Sequence, residues 1–272
     1  MTAAAALPGP FWLVGCGNMA GAMLDGWLDA GLDPGRITII DPMRRAAPAG
    51  VRLLATLPED EVPALAMLGV KPQLLDSVAP MLAPALDPHT ILISILAGTE
   101  TVSLHARFPA CETIVRAMPN TPARLRKAAI GLYSESEDQA ARAAVGSLMA
   151  LLGTAEWVSD EALMDSITAL SGSGPAFLFR FIDALARAGQ AVGLPHDQAE
   201  RLALATVEGA GALAAAAGEG PATLAERVAS PGGSTRKGLD VLDADDRLLA
   251  LLTETLEAAV RRNRELAKET RR

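Results

Sequence analysis

The feature that most constrains the fold of this chain is a change in its hydrophobic pattern near residue 158. Before that point, short apolar runs alternate with helical patterns. The runs cover residues 11–14, 36–40, 65–70, 90–95, 113–117, 129–133 and 155–158. Strands that alternate with helices pair side by side through crossover connections. The first part of the chain is therefore predicted to form a mostly parallel sheet.

After residue 158 the strand signals stop, and helices rich in alanine and leucine follow. Glycine and proline interrupt this part at 171–175, 193–195, 218–221 and 230–233. The pattern predicts a separate all-helical domain, and we divide the chain into residues 1–158 and 159–272.

The helix predicted over residues 201–217 carries apolar side chains on more than one face. A helical domain of about 110 residues can hardly bury such a helix by itself. We therefore expect a partner subunit, and a self-contained helical bundle is the alternative.

Charge and composition narrow the class of partner. The chain has 272 residues and a formal net charge of -8, and half of its residues are hydrophobic. Nucleic acids and anionic membranes attract clustered Lys and Arg, so neither is expected as a partner. Residues 1–10 lack the charged region and cleavage site of a secretory signal, and a cytoplasmic location is expected.

The metal-ligating residue types are few and scattered. They include Cys16 and Cys111, with histidines only at positions 89, 105 and 196. This spacing suits neither a disulfide framework nor a metal site, so we expect a reducing compartment and no metal.

A glycine pattern follows the first predicted strand directly. The segment Gly15-Cys16-Gly17-Asn18-Met19-Ala20 has the G-x-G-x-x-A form of the dinucleotide fingerprint and opens a helix predicted to reach about residue 30. Gly15 allows the tight turn, Gly17 lets the backbone approach a pyrophosphate, and Ala20 lets helix and strand pack closely. The helix N-terminus adds donors and partial positive charge. The predicted fold class is an α/β Rossmann-like dinucleotide-binding domain followed by an all-α dimerisation domain.

The end of the second predicted strand bears on the choice of dinucleotide. Asp41 would bind ribose hydroxyls and repel a 2′-phosphate, whereas Arg44 and Arg45 could hold that phosphate. The same residues also suit an ordinary solvated turn. The sequence therefore leaves the choice between NADH and NADPH open.

Another strand end should lie at the same crevice. The segment Gly69-Val70-Lys71-Pro72-Gln73 follows the run at 65–70, and Pro72 suits the first turn of a helix. Lys71 is a candidate proton donor, and a solvent-facing lysine is the default alternative.

The segment Ser230-Pro231-Gly232-Gly233-Ser234-Thr235 separates two predicted helices with groups suited to an anion. Pro231 lacks a donor, the glycines permit unusual torsions, and Ser234 or Thr235 can cap the next helix. Unpaired N–H groups would then point outward, which predicts a cradle for a carboxylate. An ordinary Pro-Gly helix connector is the alternative.

Together these motifs resemble the pyrroline-5-carboxylate reductase family over nearly the whole chain. The matching segments are 15–20, 70–73, Ser94 with 97–98, 115–122, 171–176, 230–235, Gly238-Leu239 and Leu242-Asp243. The resemblance implies hydride transfer from NADPH or NADH to the imine carbon of 1-pyrroline-5-carboxylate, which gives L-proline. A protonated imine is already electrophilic, so a site without a nucleophile or metal is compatible with this reaction.

The resemblance also implies roles for individual residues. The substrate carboxylate would lie on backbone and hydroxyl groups of 230–235, and Thr235 is the catalytic candidate, near the ring nitrogen as hydrogen-bonding partner or proton relay. Ser173 and Gly174 would line the same pocket, within a segment that also serves as a hinge between helices. Glu219 is a weaker candidate for the ring nitrogen, and a solvated loop carboxylate is its alternative. The nicotinamide would be bordered by Ala97, Gly98, Met118, Asn120 and Pro175.

Assembly is a further implication of the resemblance. The helical domains of two subunits would interlock, so that the 230–235 loop of one chain meets the cofactor domain of the other. Dimers of this kind also associate into larger rings, and the sequence leaves the number of subunits open.

Two other functions are weighed against this one. A reductase of the same architecture that acts on a 3-hydroxy acid or a deazaflavin would need a different substrate loop and, for hydroxy acids, a lysine in the helix over 176–192, which has none. A cofactor-binding regulator would show damage to the fingerprint or to the 230–235 loop, and both are intact. A six-membered imine stays open as a substrate, because one methylene changes binding by only about 1–3 kcal/mol.

Overall fold

The structure of the protein is a computed structural model that describes residues 7–270, with side chains as far as Lys268. Within these residues eight strands form one sheet. The strands are β1 Phe11–Val14, β2 Ile37–Ile40, β3 Arg52–Leu54, β4 Leu65–Leu68, β5 Ile91–Ser94, β6 Thr113–Met118, β7 Ala128–Tyr133 and β8 Gly153–Trp157. The helices that accompany the sheet are α1 Asn18–Asp29, α2 Leu75–Leu82, α3 Thr101–Arg107, α4 Gln139–Ala150 and α5 Leu163–Ile167.

After α5 the secondary structure of the described chain is helical throughout. Its helices are α6 Gly174–Ala191, α7 His196–Ala216, α8 Pro221–Val228, α9 Ser234–Asp243 and α10 Arg247–Thr270. Each predicted glycine and proline interruption falls between two of these helices or at the start of one, because proline is tolerated in a first turn and glycine suits a helix end. None of the helices in residues 7–270 has the length and apolar character needed to cross a membrane.

The strand order is β3-β2-β1-β4-β5-β6-β7-β8, and all neighbours are parallel except β6 and β7. The predicted α/β fold class is therefore confirmed. The sequence did not predict that β7 runs antiparallel to β6. Only residues 119–127 connect these strands, fewer than the dozen or so that a parallel crossover needs.

The seven predicted strands are present, with ends shifted by at most two residues, and β3 was missed. β3 spans three residues at the sheet edge, where Arg52 is exposed and the two leucines are only half-buried. Such a short, partly polar strand carries no apolar run, so hydrophobic pattern cannot detect it.

Both faces of the sheet are buried, which explains why its strands read as continuous apolar runs. In β1, Phe11 and Leu13 belong to one hydrophobic cluster with Trp27 of α1, and Trp12 and Val14 belong to a second cluster on the other face. The rings of Phe11 and Trp27 meet edge to face with centroids 5.4 Å apart. Alternate residues of a strand therefore pack against helices on opposite faces of the sheet.

The chain divides into two compact units. The first contains the residues through Ser173 together with those from Ala259 onward, and the second is Gly174–Ala258. The first unit extends beyond the sheet because α5 packs on β7, where Ile167 fills the space in which Gly131 would carry a Cβ. The predicted domain division after residue 158 stays a prediction.

The second unit buries little of its apolar surface by itself. Its buried side chains within the described residues are the alanines Ala186, Ala199, Ala203 and Ala229. Meanwhile Phe179 is 66% exposed and Leu249 is 64% exposed. Large apolar side chains of this kind stabilise a fold only when another surface covers them.

Candidate active site

The sheet order places the ends of β1 and β4 side by side, where the direction of strand succession reverses. In open α/β sheets, ligands bind in the crevice that forms at such a reversal, beyond the carboxyl ends of the strands. The fingerprint residues 15–20 follow β1, and Gly69-Val70-Lys71-Pro72 follow β4. The structure therefore brings two of the predicted cofactor segments together.

Two of these glycines allow the close approach of the two strand ends. Gly15 has a φ of +82°, and a Cβ there would lie 2.5 Å from Val70 Cγ1 and 2.8 Å from the Val70 nitrogen. A Cβ on Gly69 would lie 2.8 Å from the Cβ of Ala20 and closer still to the Gly15 carbonyl oxygen. Side chains at either position would push the strand ends apart.

Gly17 differs from these glycines because its surroundings are open. It is exposed, it is the N-cap residue of α1, and a Cβ there would meet no atom within 4 Å. No side chain caps α1, so the N–H groups of its first turn are available to an external acceptor. The open space beside these donors fits a dinucleotide pyrophosphate, and a side chain on Gly17 would fill it.

Asp41 and Arg44 both turn back onto the fingerprint loop. Asp41 Oδ2 accepts a hydrogen bond of 2.9 Å from the Cys16 N–H. Arg44 Nη1 donates to the Cys16 carbonyl oxygen at 2.8 Å and approaches the Cys16 Sγ at 3.2 Å. Burial raises the pKa of the Cys16 thiol, although the nearby Arg44 opposes the rise. The loop is thus fixed by the two residues that the sequence placed at the adenosine ribose.

Lys71 and Pro72 lie at the other side of the crevice. Pro72 begins a short turn of 3-10 helix, as its position in the sequence predicted, and Lys71 precedes it. Lys71 is exposed, and its side chain makes no hydrogen bond or ion pair within residues 7–268, while its carbonyl oxygen accepts from the Leu74 N–H. The structure therefore supports the solvent-facing alternative for Lys71.

Ala97 and Gly98 lie beyond the end of β5. Ala97 is exposed, and Gly98 has a φ of +73°. A Cβ on Gly98 would lie 3.3 Å from the backbone nitrogen of Ala267 in α10. The C-terminal part of α10 therefore packs against this loop.

Met118 ends β6 and Asn120 follows it, and both are buried. Asn120 Nδ2 donates to the Ser171 carbonyl oxygen at 2.9 Å, while its Oδ1 accepts from the Ala129 N–H at 3.1 Å. Both polar atoms of the side chain are thus engaged within the protein. Asn120 therefore ties the turn at Ser171 to the end of β6, and a contact with the cofactor stays a prediction.

The segment Ser171-Gly172-Ser173-Gly174-Pro175 joins the two compact units. Its first part completes a turn of π-helix over Thr168–Gly172, and α6 begins at Gly174 with Pro175 in its first turn. All five residues are half-buried. The predicted interruption is present, and the pocket roles of Ser173, Gly174 and Pro175 stay predictions.

The 230–235 loop is a tight turn in front of α9. The Gly233 N–H donates to the Ser230 carbonyl oxygen at 3.0 Å, and Gly232 has a φ of +72°. The sequence predicted that Ser234 or Thr235 would cap α9, which is wrong, because Gly233 is the N-cap residue and no side chain caps the helix. Both hydroxyl residues lie inside the first turn and are exposed. The first N–H groups of α9 thus stay available to an anion.

Relatives of known name match the chain from end to end. A pyrroline-5-carboxylate reductase of Pseudomonas aeruginosa is 39% identical over 264 residues, which cover 94% of this chain and 96% of that protein. The chain belongs to the pyrroline-5-carboxylate reductase family. A pyrroline-5-carboxylate reductase of Pisum sativum is 34% identical over 93% of this chain and 94% of its own length. The predicted family is therefore confirmed.

Two family models match separate parts of the chain. The model described as pyrroline-5-carboxylate reductase dimerisation matches residues 161–266, and the model described as NADP oxidoreductase coenzyme F420-dependent matches residues 11–98. The first match confirms that the chain forms homo-oligomers. The second covers only the dinucleotide-binding part, and the full-length relatives carry the reductase name, so the deazaflavin alternative loses its support.

Solved structures of the family share the fold of this reductase. A pyrroline-5-carboxylate reductase of Coxiella burnetii superposes with a TM-score of 0.86 at 33% identity, covering 95% of this chain and 98% of that one. A Plasmodium falciparum pyrroline carboxylate reductase with NADP bound has a TM-score of 0.78 at 23% identity, covering 96% of this chain and 99% of that one. The fold is therefore that of the family throughout.

The sequence did not predict one cluster of polar side chains, which consists of Arg116, Glu161 and Thr101. Arg116 is 4% exposed in β6, and its Nη1 donates to Glu161 Oε1 at 2.8 Å. The same Glu161 oxygen accepts from the Thr101 N–H at 2.7 Å, and its Oε2 accepts from the Thr101 hydroxyl at 2.9 Å. An arginine within an apolar strand was the available signal, because a buried guanidinium requires an acidic partner.

The described residues contain no group of three or more His, Cys, Asp or Glu side chains that could hold a metal ion. Glu219, the weaker candidate for the ring nitrogen, lies on the surface of the second unit. Its Oε2 accepts a hydrogen bond of 2.8 Å from Arg227 Nη1. This contact supports the surface alternative for Glu219.

Proposed function

We propose that this chain reduces 1-pyrroline-5-carboxylate to L-proline with NADPH or NADH as the reductant. The family names its members for this substrate, and the activity and the cofactor class predicted from the sequence agree with it. The observation that carries the proposal is the pair of helix starts, α1 and α9, that have glycine N-caps and no side-chain cap. Each offers backbone donors to an anion, one to a pyrophosphate and the other to a carboxylate.

The cofactor would be held by the first unit of the chain. Gly15 and Gly69 bring the strand ends together, Gly17 leaves space over the start of α1, and Asp41 would bind the ribose hydroxyls. Ala97, Gly98 and the end of β6 would border the nicotinamide. When bound, the dinucleotide supplies the hydride that the imine carbon accepts.

The substrate would be held by the 230–235 loop. Its carboxylate would accept hydrogen bonds from N–H groups in the first turn of α9, where helix dipole and donors both favour an anion. Arg236 is ion-paired to Glu226, which fixes a cation beside this turn. Such contacts orient the ring, and orientation of a bound imine is the main task left to the protein.

Thr235 is the proposed catalytic residue. Its hydroxyl is exposed in the first turn of α9, two residues after the glycine cap. A threonine hydroxyl both donates and accepts a hydrogen bond, so it can hold the ring nitrogen or relay a proton to it. As an acceptor the hydroxyl would stabilise the protonated nitrogen, and as a relay it would pass a proton from solvent to that nitrogen, while the adjacent carbon accepts the hydride.

The finer assembly is part of the same proposal. Two chains would dimerise through their C-terminal helical domains, and a larger ring of dimers would follow the pattern of the family. The 230–235 loop of one subunit would act with the cofactor domain of the other. We also propose that the enzyme acts in the cytoplasm, where this biosynthetic step is expected.

The test is the initial rate of NADPH and NADH oxidation by the purified protein with the five-membered imine and with its six-membered homologue. We expect preferential turnover of the five-membered imine, with proline as the product. Thr235→Ala should lower kcat at least about tenfold with little change in dinucleotide affinity, because one positioned proton donor contributes about 10²-fold or more. Thr235→Ser should recover much of the loss.

Two glycine variants control for damage to the fold. Gly17→Val should abolish dinucleotide binding while the melting temperature is kept, because a side chain there meets open space. Gly15→Val should lower the melting temperature as well, because the backbone torsion is strained and Val70 lies too close. Dinucleotide binding without turnover of either imine would overturn the proposed function, and unchanged kcat in Thr235→Ala would remove Thr235 from its role.

A further inference from the structure

We propose that Asp41 makes this reductase prefer NADH to NADPH, and that Arg44 stabilises the fingerprint loop instead of binding a 2′-phosphate. The proposal rests on the proposed function, since it concerns the same cofactor. It assigns a specificity-determining residue that the sequence left undecided between Asp41, Arg44 and Arg45.

The Asp41 carboxylate is held in one orientation by two backbone donors. Its Oδ2 accepts from the Cys16 N–H at 2.9 Å, and its Oδ1 accepts from the Met43 N–H at 2.9 Å. The Asp41 N–H in turn donates to the Leu54 carbonyl oxygen at 3.0 Å, which ties the residue to the neighbouring strand. The carboxylate is therefore preorganised beside the fingerprint turn.

Such a carboxylate distinguishes the two dinucleotides by charge. Its two oxygens offer about four acceptor sites, so two remain for ribose hydroxyls after the backbone bonds are formed. In NADPH a phosphate is attached at the ribose 2′ position. It would bring nearly two negative charges close to the Asp41 carboxylate, and the 2′-hydroxyl would no longer be there to donate a hydrogen bond. Asp41 is only half-buried, but the backbone bonds prevent it from swinging away.

Arg44 is already committed to the protein. Its Nε donates to the Ala46 carbonyl oxygen at 2.8 Å, and its Nη1 donates to the Cys16 carbonyl oxygen at 2.8 Å. A side-on bidentate grip on a phosphate uses the Nε–H, so the guanidinium would have to give up its bond to Ala46. The backbone of Cys16 therefore binds both residues. Its N–H donates to Asp41, and its carbonyl oxygen accepts from Arg44.

Arg45 is the cation that could reverse the preference. It is exposed and has no hydrogen bond or ion pair within residues 7–268. An exposed and unrestrained arginine would have to offset the fixed carboxylate to favour a phosphate, and surface charge pairs contribute little. The geometry therefore favours the diol of NADH.

Binding of two nucleotide fragments tests the proposal without any turnover. ADP-ribose and 2′-phospho-ADP-ribose are titrated into the purified protein by calorimetry at fixed ionic strength. We expect ADP-ribose to bind at least about tenfold more tightly, and kcat/KM for NADH to exceed that for NADPH in the same direction. Equal affinity, or tighter binding of the phosphorylated fragment, would overturn the proposal.

Variants assign the effect to a residue. Asp41→Asn should reduce the discrimination at least about fivefold. Asp33→Asn is the matched control. Asp33 also accepts a hydrogen bond from the N–H two residues ahead, and it precedes the opposite end of β2. The two substitutions change the net charge equally. Retained discrimination in Asp41→Asn, or an equal loss in Asp33→Asn, would remove the role of Asp41.

A second pair of variants separates the arginines. Arg44→Met should weaken both fragments to a similar extent and lower the melting temperature, because it loosens the loop. A selective loss of the phosphorylated fragment in Arg44→Met or Arg45→Ala, in a protein that prefers that fragment, would assign phosphate binding to the arginine and overturn the proposal. If fragment discrimination is found but no imine is reduced, the proposed function fails while this assignment stands.

Discussion

Asp165 lies between two arginines, yet its surroundings favour the neutral carboxyl. Burial is the largest cause that raises the pKa of Asp165, and although the charges of Arg116 and Arg264 oppose it, the rise remains with the help of Glu100 and Glu161. The contact with Arg264 is long, at 3.7 Å from Nε to Oδ2. A carboxyl whose pKa is higher in the folded state favours folding most at a pH below its unfolded pKa. That contribution is lost as the pH rises through the folded value.

We therefore expect Asp165→Asn to be as stable as the parent protein or more stable at pH 7, despite the loss of an ion pair. The advantage should shrink as the pH is lowered from 7 to 4, because the folded parent protein takes up a proton at this carboxyl more readily than the unfolded chain does. Melting temperatures at the two values of pH measure this difference. Asp76→Asn, which breaks the surface pair with Arg107, should show no such gain. A clear loss of stability at pH 7 in Asp165→Asn would contradict the sign of the pKa shift.

At the scale of elements, α3 is capped by a residue far away in the sequence. Its own N-cap residue, Glu100, makes no side-chain capping bond, and Glu161 instead accepts from the N–H and hydroxyl of Thr101. Because Glu161 also binds Arg116, one carboxylate joins β6, the start of α3 and the turn before α5. The loop with Ala97 and Gly98 leads directly into this helix start, so the same carboxylate positions the predicted border of the nicotinamide.

Glu161→Ala should therefore lower the free energy of unfolding by about 2–3 kcal/mol. We place it near the low end for a broken buried ion pair because the side chain of Glu161 is 22% exposed. The double variant Glu161→Ala with Arg116→Met should lose less than the sum of the two single losses, since no charge is then left buried alone. Urea denaturation at equal protein concentration measures this coupling. Additive losses would show that the pair does not act as one unit.

At the scale of the whole molecule, residues 174–258 need a partner surface. Their buried side chains within the described chain are alanines, while phenylalanine and leucine side chains of α6 and α10 are exposed. Each of those side chains contributes about 1.5–3 kcal/mol when it is fully buried. We propose that self-association through the region matched by the family's dimerisation model supplies that burial.

A complementation experiment tests the proposed sharing of sites between subunits. Gly17→Val should block the proposed cofactor site, Thr235→Ala should remove the proposed catalytic hydroxyl, and each variant alone should have little activity. Unfolded and refolded together, they should regain about a quarter of the parent activity, because half of the dimers are mixed and each mixed dimer has one intact site. Refolding either variant alone is the control. No recovery, with mixed dimers confirmed by mass, would place each site within one chain.

The sequence by itself determined the features that depend on neighbouring residues. Apolar runs marked seven of the eight strands, glycine and proline marked the helix breaks, and the fingerprint marked the turn after β1. These signals are local because side-chain periodicity and backbone torsion act over a few residues. The loop at 230–235 was predicted for the same reason, although its cap was assigned to the wrong residue.

Only the tertiary structure decided which distant groups meet. The antiparallel course of β7 depends on a short connection, the Arg116–Glu161 pair spans 45 positions, and the Asp41–Cys16 bond spans 25. No periodicity encodes such pairings, because they arise when strands and helices pack and buried polar groups must find partners. The sequence therefore predicted which segments form the site, and the fold determined which of their residues bind one another.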